Sequence, residues 1–412
     1  MRKIAVEALK PGMIVGKPVY DSSGFLLLNT GKELKQEYIR NLKKLNIPAV
    51  YIIDNIIPDI DIEDVILDET RQKANNIIRK ILTDVEKQPE KSIPKLLFTH
   101  KEIRNALDEI IDQLLTNRNL VVNLSDIRTF DNYTFAHSVN VAVLAIATAI
   151  SFQLSRTKLH DIGLGSLLHD LGKVKIPDSI LNKEGKLTFE EYAEIKRHPL
   201  LGYDMVNRQS FISPASALII LQHHERKNGE GYPEGLRGEQ IHLFSKICAV
   251  VDVYDALVSN RPYRKALPAH NAVELLQSQV ELFDINVLEK FLQHIAAYPI
   301  GTFVGLSNGE IGIVVHNTVG FPLRPRVRIL GSKEFEPVER YELDLMEKID
   351  IIVDEVYDEG NIPEKILQIS TISVRNSLSA LTLIMASSRV IEGVLVKLET
   401  WITSTSLAHC FM

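Results

Sequence analysis

The stretch that decides the fold is Leu168-His169-Asp170-Leu171-Gly172-Lys173, near the middle of the chain. It places an imidazole directly beside a carboxylate, and divalent cations bind both kinds of group. Further candidates of the same two kinds flank this stretch on either side: His137, His198, His223, His224 and Asp252. The sequence therefore concentrates metal-binding side chains in one region of a long chain.

The number of these side chains predicts more than one cation. Five imidazoles and two carboxylates exceed the needs of one ion, and a carboxylate can bridge two ions. Neighbours on a helix point about 100° apart, so His169 and Asp170 are expected to address different sides of a site. Alone, any of these histidines would be an ordinary surface or core residue, but an unpartnered Asp252 would be costly to bury. Two close cations suit an in-line phosphoryl displacement.

Composition restricts the class of protein. The 47 basic and 53 acidic residues give a net charge of −6, which offers no reason to expect binding to polymeric nucleic acid. Cys248 and Cys410 are the only cysteines and fit a reducing compartment. The longest apolar run, Val139 to Ile150, is too short to span a bilayer. We therefore expect a cytoplasmic protein without a membrane segment.

Hydrophobic periodicity predicts a mainly α chain with five parts. Apolar stripes at helical spacing in the second part pack either on the next domain or on a second copy of the chain, which leaves a homodimer open. The predicted parts are a small α/β N-terminal module (1–58), a helical connector (59–120), a helical His/Asp domain (121–298), a small β appendage (299–345) and a C-terminal tail of unknown role (346–412).

The motifs resemble those of the HD-GYP family, the cyclic di-GMP phosphodiesterase branch of the HD phosphohydrolases. The resemblance covers residues 121–298, and the N-terminal module is similar to one that often precedes such domains. The segments that carry it are Asp131–Ala142, Leu168–Lys173 with Ile176-Pro177, His198-Pro199, His223-His224-Glu225, Gly231–Leu236, Asp252–Leu257 and Arg261–Arg264. Together these segments are far more specific than the short His-Asp motif.

The resemblance implies a role for each matching residue. Lys173 would contact the scissile phosphate, Arg261 and Arg264 would bind substrate phosphates, and Tyr232 would shape the guanine pocket. A metal-bridged hydroxide would attack cyclic di-GMP and give pGpG, with GMP as a further product. The implied metal ligands are His137, His169, Asp170 as the bridging group, His198, His223, His224 and Asp252. The implied metals are two divalent ions, with iron or manganese favoured by this donor set.

Two departures from the family pattern bear on the site. Tyr133 stands where some members carry the glutamate that supports a third metal, so the sequence predicts two metals rather than three. Asn228 stands where an aspartate is common, which removes a charge near the ligand segment. Two other functions stay open: a cyclic di-GMP receptor with little turnover, and a phosphohydrolase acting on another nucleotide.

Overall fold

A computed structural model describes residues 1–21, 25–45, 47, 49–53, 59–60, 64–86, 97–117, 133–183, 185–207, 209–259, 266–332, 334, 338 and 340–357. These residues confirm a mainly helical chain with small β regions before and after the helices. Most of the predicted tail, including the unit Ile362–Met412, lies outside the described residues. The boundaries between the five predicted parts stay predictions, and the packing below is given by element.

The N-terminal module folds around its own small core. Strand β5 is central in an antiparallel sheet of order β1-β5-β2, with Ile4 opposite Val50. Helix α1 buries Ile39 and Leu42 against this core. The elements are β1 (Arg2–Ala5), β2 (Ile14–Val15), β3 (Val19–Tyr20), β4 (Leu26–Leu28), α1 (Gln36–Lys44) and β5 (Ala49–Ile53). These elements agree with the α/β character that the sequence predicted for this module.

The two connector helices belong to the core of the helical domain. Helix α2 (Asp68–Glu86) and α3 (Leu97–Thr116) pack on each other and on the helices that follow. Ile78, Ile81 and Leu107 are at most 1% exposed, so the same chain covers the apolar stripes. A homodimer stays a prediction, but the apolar stripes no longer support it, because the chain itself covers them.

The helical domain is built around α4 (Tyr133–Ser151), whose residues Val139 to Ala149 are almost fully buried. The longest apolar run of the chain is therefore a core helix. Within the part of the chain that the structure describes, no helix is both long and apolar enough to cross a bilayer. The remaining helices are α5 (Arg156–Leu167), α6 (Asp178–Leu181), α7 (Phe189–Ile195), α8 (His198–Val206), α9 (Pro214–Gln222), α10 (Leu243–Val258), α11 (Ala269–Ser278) and α12 (Ile285–Leu292).

A five-stranded antiparallel sheet follows the helices, in the order β10-β6-β7-β8-β9. Its inner residues Val304, Val314 and Val327 belong to the same hydrophobic core as the helical domain. The strands are β6 (Phe303–Leu306), β7 (Glu310–His316), β8 (Arg326–Ser332), β9 (Glu342–Asp344) and β10 (Val353–Tyr357). Four of them lie within the predicted β appendage, and β10 lies inside the predicted tail.

Candidate metal centre

Five elements bring the seven predicted ligands together. His137 lies on α4 and Asp252 on α10, both inside long buried helices, and His198 opens α8. The pairs His169/Asp170 and His223/His224 lie just beyond the ends of α5 and α9. Both pairs therefore lie in the turns that end their helices rather than inside the helices, as the sequence had led us to expect for His169 and Asp170.

A glycine permits the close approach that completes the site. A Cβ on Gly172 would lie 2.0 Å from the carbonyl oxygen of His198 and 2.5 Å from the amide nitrogen of Gly202. No side chain fits in this space, so the turn that carries Asp170 packs directly on the first turn of α8. This contact places Asp170 beside His198.

The seven side chains form two groups that could each hold a metal ion. The first is Asp170, His198, His223 and His224, and the second is His137, His169 and Asp252; in each, the candidate donor atoms lie within 4.8 Å of one another. Asp170 spans both groups. Its Oδ1 lies 3.4 Å from Nε2 of His198, and its Oδ2 lies 3.4 Å from Nε2 of His169.

Hydrogen bonds at the outer ring nitrogens orient four of the imidazoles. A carbonyl or carboxylate oxygen accepts a bond from each Nδ1, which fixes the proton there and turns the Nε2 lone pair inward when the ring is neutral. The pairs are His137 with Asp255 (2.7 Å), His169 with the Ser166 carbonyl (2.7 Å), His198 with the Ile195 carbonyl (2.8 Å) and His223 with the Ile220 carbonyl (3.0 Å).

Two features show that the residues fit divalent cations. Nε2 of His169 is buried without a hydrogen-bond partner among the described residues, an arrangement that carries a desolvation penalty. Nε2 of His198 lies 3.1 Å from Nε2 of His223. Since both rings carry their proton on Nδ1, two lone pairs face each other, and a cation would relieve the repulsion. Imidazole and carboxylate donors suit iron, manganese and similar ions.

The two groups differ in protonation. Burial lowers the pKa of His198 to about 4 and the pKa values of His223 and His224 well below their usual range, so these rings are neutral and ready to bind. Burial also opposes charge on His137, but hydrogen bonds to Asp252 and Asp255 outweigh it and raise its pKa to about 9. The second group therefore keeps a proton at neutral pH that a cation would displace.

The acidic ligands are held ionised. Burial alone would raise the pKa of Asp170, but the nearby Lys173 ammonium, together with the His169 ring, holds it well below its usual range. Asp252 is likewise shifted downward, because its hydrogen bond with His137 outweighs burial. Lys173 Nζ lies 2.6 Å from Asp170 Oδ2 and remains partly exposed. The Lys173 ammonium therefore lies beside Asp170 with one side open to solvent, and its contact with a substrate phosphate stays a prediction.

A tight loop fixes Tyr232 beside the cluster. Its ring stacks on His224 at 4.6 Å between centroids, and its amide donates to the His224 carbonyl. The buried carboxylate of Glu225 accepts bonds from the amides of Glu234 and Leu236, at 2.8 and 2.9 Å. A Cβ on Gly231 would lie 2.3 Å from the Arg226 amide nitrogen, so only glycine permits this packing.

Sequence reasoning assigned no role to two buried acids near the site. Asp255 is fully buried and bonds His137, and Glu225 holds the Tyr232 loop. A signal was present for each: Asp255 follows Asp252 by three residues on one helix, and Glu225 directly follows the paired histidines. A carboxylate in an apolar context next to a ligand is a candidate for holding that ligand in place.

Other predicted residues stand apart or lie outside the description. Asn228 bonds the Glu230 side chain at 2.8 Å and accepts from its amide, so it orders its own turn. Arg261 and Arg264 fall outside the described residues. Tyr133 begins α4, and its side chain is outside the description.

Comparison with known proteins agrees with the motifs. Residues 114–287 match the HD domain family, and residues 303–365 match a KOW domain associated with the HD domain. A cyclic di-GMP phosphodiesterase of Pseudomonas aeruginosa is 39% identical over 242 residues, 58% of each chain. The cyclic di-GMP phosphodiesterase response regulator RpfG of Xanthomonas campestris is 34% identical over 227 residues, 55% of this chain and 58% of that one. The alignments thus span little more than half of these relatives.

A solved structure of an HDG"Y"P protein from Bdellovibrio bacteriovorus is 19% identical, with a TM-score of 0.43 over 70% of this chain and 97% of that one. The helical fold and the paired His/Asp groups define the class of HD domains. Residues 114–287 match the HD domain, and within that class the paired histidines and the Gly231-Tyr232-Pro233 turn are similar to those of the HD-GYP family.

Proposed function

We propose that the chain is a metal-dependent phosphodiesterase that hydrolyses cyclic di-GMP to pGpG, with GMP as the product of a second hydrolysis. The observation that carries this proposal is Asp170, whose two oxygens face two separate groups of metal-binding side chains. The relatives named above as cyclic di-GMP phosphodiesterases support the choice of substrate.

The seven ligands would hold two divalent cations, with iron or manganese favoured. Such ions activate water and stabilise the charge that develops on the phosphate oxygens. Asp170 belongs to the first group, and its second oxygen faces His169 of the second group. The buried histidines keep bulk solvent from the inner face of the site. Loss of Asp170 is therefore expected to affect both ions together.

Lys173 and Tyr232 would handle the substrate. Once cations neutralise Asp170, the Lys173 ammonium is free to turn toward the scissile phosphate and offset its charge. Tyr232 forms a wall of the pocket and protects one side of His224. Arg261 and Arg264 remain proposed phosphate-binding residues, because the arginine fork matches phosphate geometry.

The test is turnover of cyclic di-GMP by metal-loaded protein, compared with Asp170→Asn and with Asp204→Asn, an exposed carboxylate on α8, as the control. We expect hydrolysis by wild type and the control, and a loss of about 1,000-fold or more in Asp170→Asn. Binding without turnover in metal-loaded wild type would identify a receptor. Inertness toward cyclic di-GMP with cleavage of another cyclic dinucleotide would favour the alternative substrate.

A further inference from the structure

A lysine lies over two aromatic rings at the edge of the metal centre. Lys196 Nζ is 4.6 Å from the centre of the Tyr192 ring and 5.4 Å from the centre of the Tyr232 ring. Lys196 follows the last residue of α7, one helical turn after Tyr192, so the helix itself brings the two together. Aromatic faces attract a cation and hold it without neutralising it.

The Lys196 ammonium forms no ion pair with any carboxylate that the structure describes. Among the residues that the structure describes, no carboxylate lies within ion-pair distance of Lys196, whereas its neighbours are paired. Lys183 contacts Glu191 at 2.7 Å, and Arg197 contacts Glu194 at 2.9 Å. Lys196 is half-buried, and its ammonium therefore presents a positive charge suited to an anion.

This charge lies beside the metal centre but apart from Lys173. The Tyr232 ring that Lys196 contacts is also stacked on His224, and it lies 6.4 Å from the His198 ring. Lys173 instead contacts Asp170. A cyclic dinucleotide carries two phosphodiesters, and only one of them can lie at the cations at a time. The other needs a positive group at a distance from the first.

We propose that Lys196, supported by Tyr192 and Tyr232, binds the phosphodiester of a cyclic dinucleotide that is not being cleaved. The proposal rests on the function proposed above and assigns a specificity-determining residue to it. The two rings hold the ammonium in place, and the Tyr192 ring is itself half-exposed. A small diester with one phosphate would have no use for this subsite.

The test compares two substrates in metal-loaded protein. Lys196→Met removes the charge and keeps most of the side-chain length. We expect it to raise KM for cyclic di-GMP about tenfold at low salt, with kcat changed less than about twofold. Hydrolysis of bis(p-nitrophenyl) phosphate should be unchanged, and Lys196→Arg should restore most of the affinity. Lys158→Met, at an exposed position on α5, is the matched control.

An unchanged KM for cyclic di-GMP in Lys196→Met would overturn the subsite, and so would an equal loss on both substrates, which would indicate a structural effect. Calorimetric binding of cyclic di-GMP separates this result from failure of the proposed function. If wild type binds cyclic di-GMP and Lys196→Met binds it equally well, the subsite alone is wrong. If wild type cleaves the small diester but neither binds nor cleaves cyclic di-GMP, the proposed function fails, and the subsite with it.

Discussion

The two His/Asp groups meet at Asp170 but carry different charge. In the first, His198 is neutral, because burial lowers its pKa to about 4. In the second, His137 lies between Asp252 and Asp255, at 3.1 and 2.7 Å, and these carboxylates raise its pKa to about 9. The comparison teaches that similar donors in one cluster do not make equivalent sites. The first group can take a cation without releasing a proton, whereas the second must exchange one.

The largest expected effect follows from removing an inner ligand of either group. His198→Ala should empty the first group and His169→Ala the second, and each should lower kcat/KM by about 1,000-fold or more. Metal content measured by mass spectrometry should fall by about one equivalent per chain in each variant. His316→Ala, an exposed histidine on β7, is the control. Full metal content in both variants would refute the assignment of ligands.

A second effect concerns the carboxylate behind His137. Asp255→Asn keeps the size of the side chain but removes the charge that orients His137 and favours its binding of a cation. We expect the second group to lose about 10- to 100-fold in metal affinity, with the first group unchanged. Competition with a metallochromic chelator measures both affinities. Equal weakening of the two groups would show that Asp255 supports the fold rather than one site.

The pH dependence of metal uptake separates the groups directly. In metal-free protein His137 holds its proton up to about pH 9. A cation that binds the second group displaces this proton, so its apparent affinity should rise about tenfold per pH unit below that value and then level off. His198 is neutral above about pH 4, so affinity of the first group should stay flat from neutral pH upward.

The same raised pKa affects the stability of metal-free protein. The contribution of the His137 proton to folding stability is complete below the pKa of an unfolded histidine, about 6.5, and is lost as pH rises through about 9.

Proton release on metal binding tests the same difference between the groups. Calorimetry in buffers of different ionisation heat counts the protons released on metal binding. Release of no proton at neutral pH would contradict the difference between the two groups.

A smaller effect is expected outside the cluster, at the loop that carries Tyr232. Glu225→Gln replaces one acceptor with a donor that faces an amide, which should cost about 1–3 kcal/mol of stability. We expect KM for cyclic di-GMP to rise about fivefold with metal content unchanged. In a Tyr232→Ala background the KM effect should disappear, since Glu225 acts through that ring. Glu234→Gln, an exposed acid in the same loop, is the control.

Sequence reasoning identified the side chains that meet at the site but not what holds them. Motif spacing predicted all seven side chains that the two groups contain. Motif spacing does not fix the residue at which a helix ends. It therefore could not show that the His169 and His223 pairs lie in turns. The roles of Asp255 and Glu225 depend on contacts made across the fold or across a tight loop. Lys196 was missed for the same reason, since its second ring comes from a different loop.

The most direct test of the account is a titration of metal-free protein with Mn²⁺, followed by binding and by hydrolysis of cyclic di-GMP in parallel. Two groups joined by Asp170 predict two equivalents bound per chain, with hydrolysis appearing only as the second is filled. The Asp170→Asn variant should bind neither of the two Mn²⁺ ions tightly. Saturation at one equivalent with full hydrolysis would contradict the claim that both groups hold a cation.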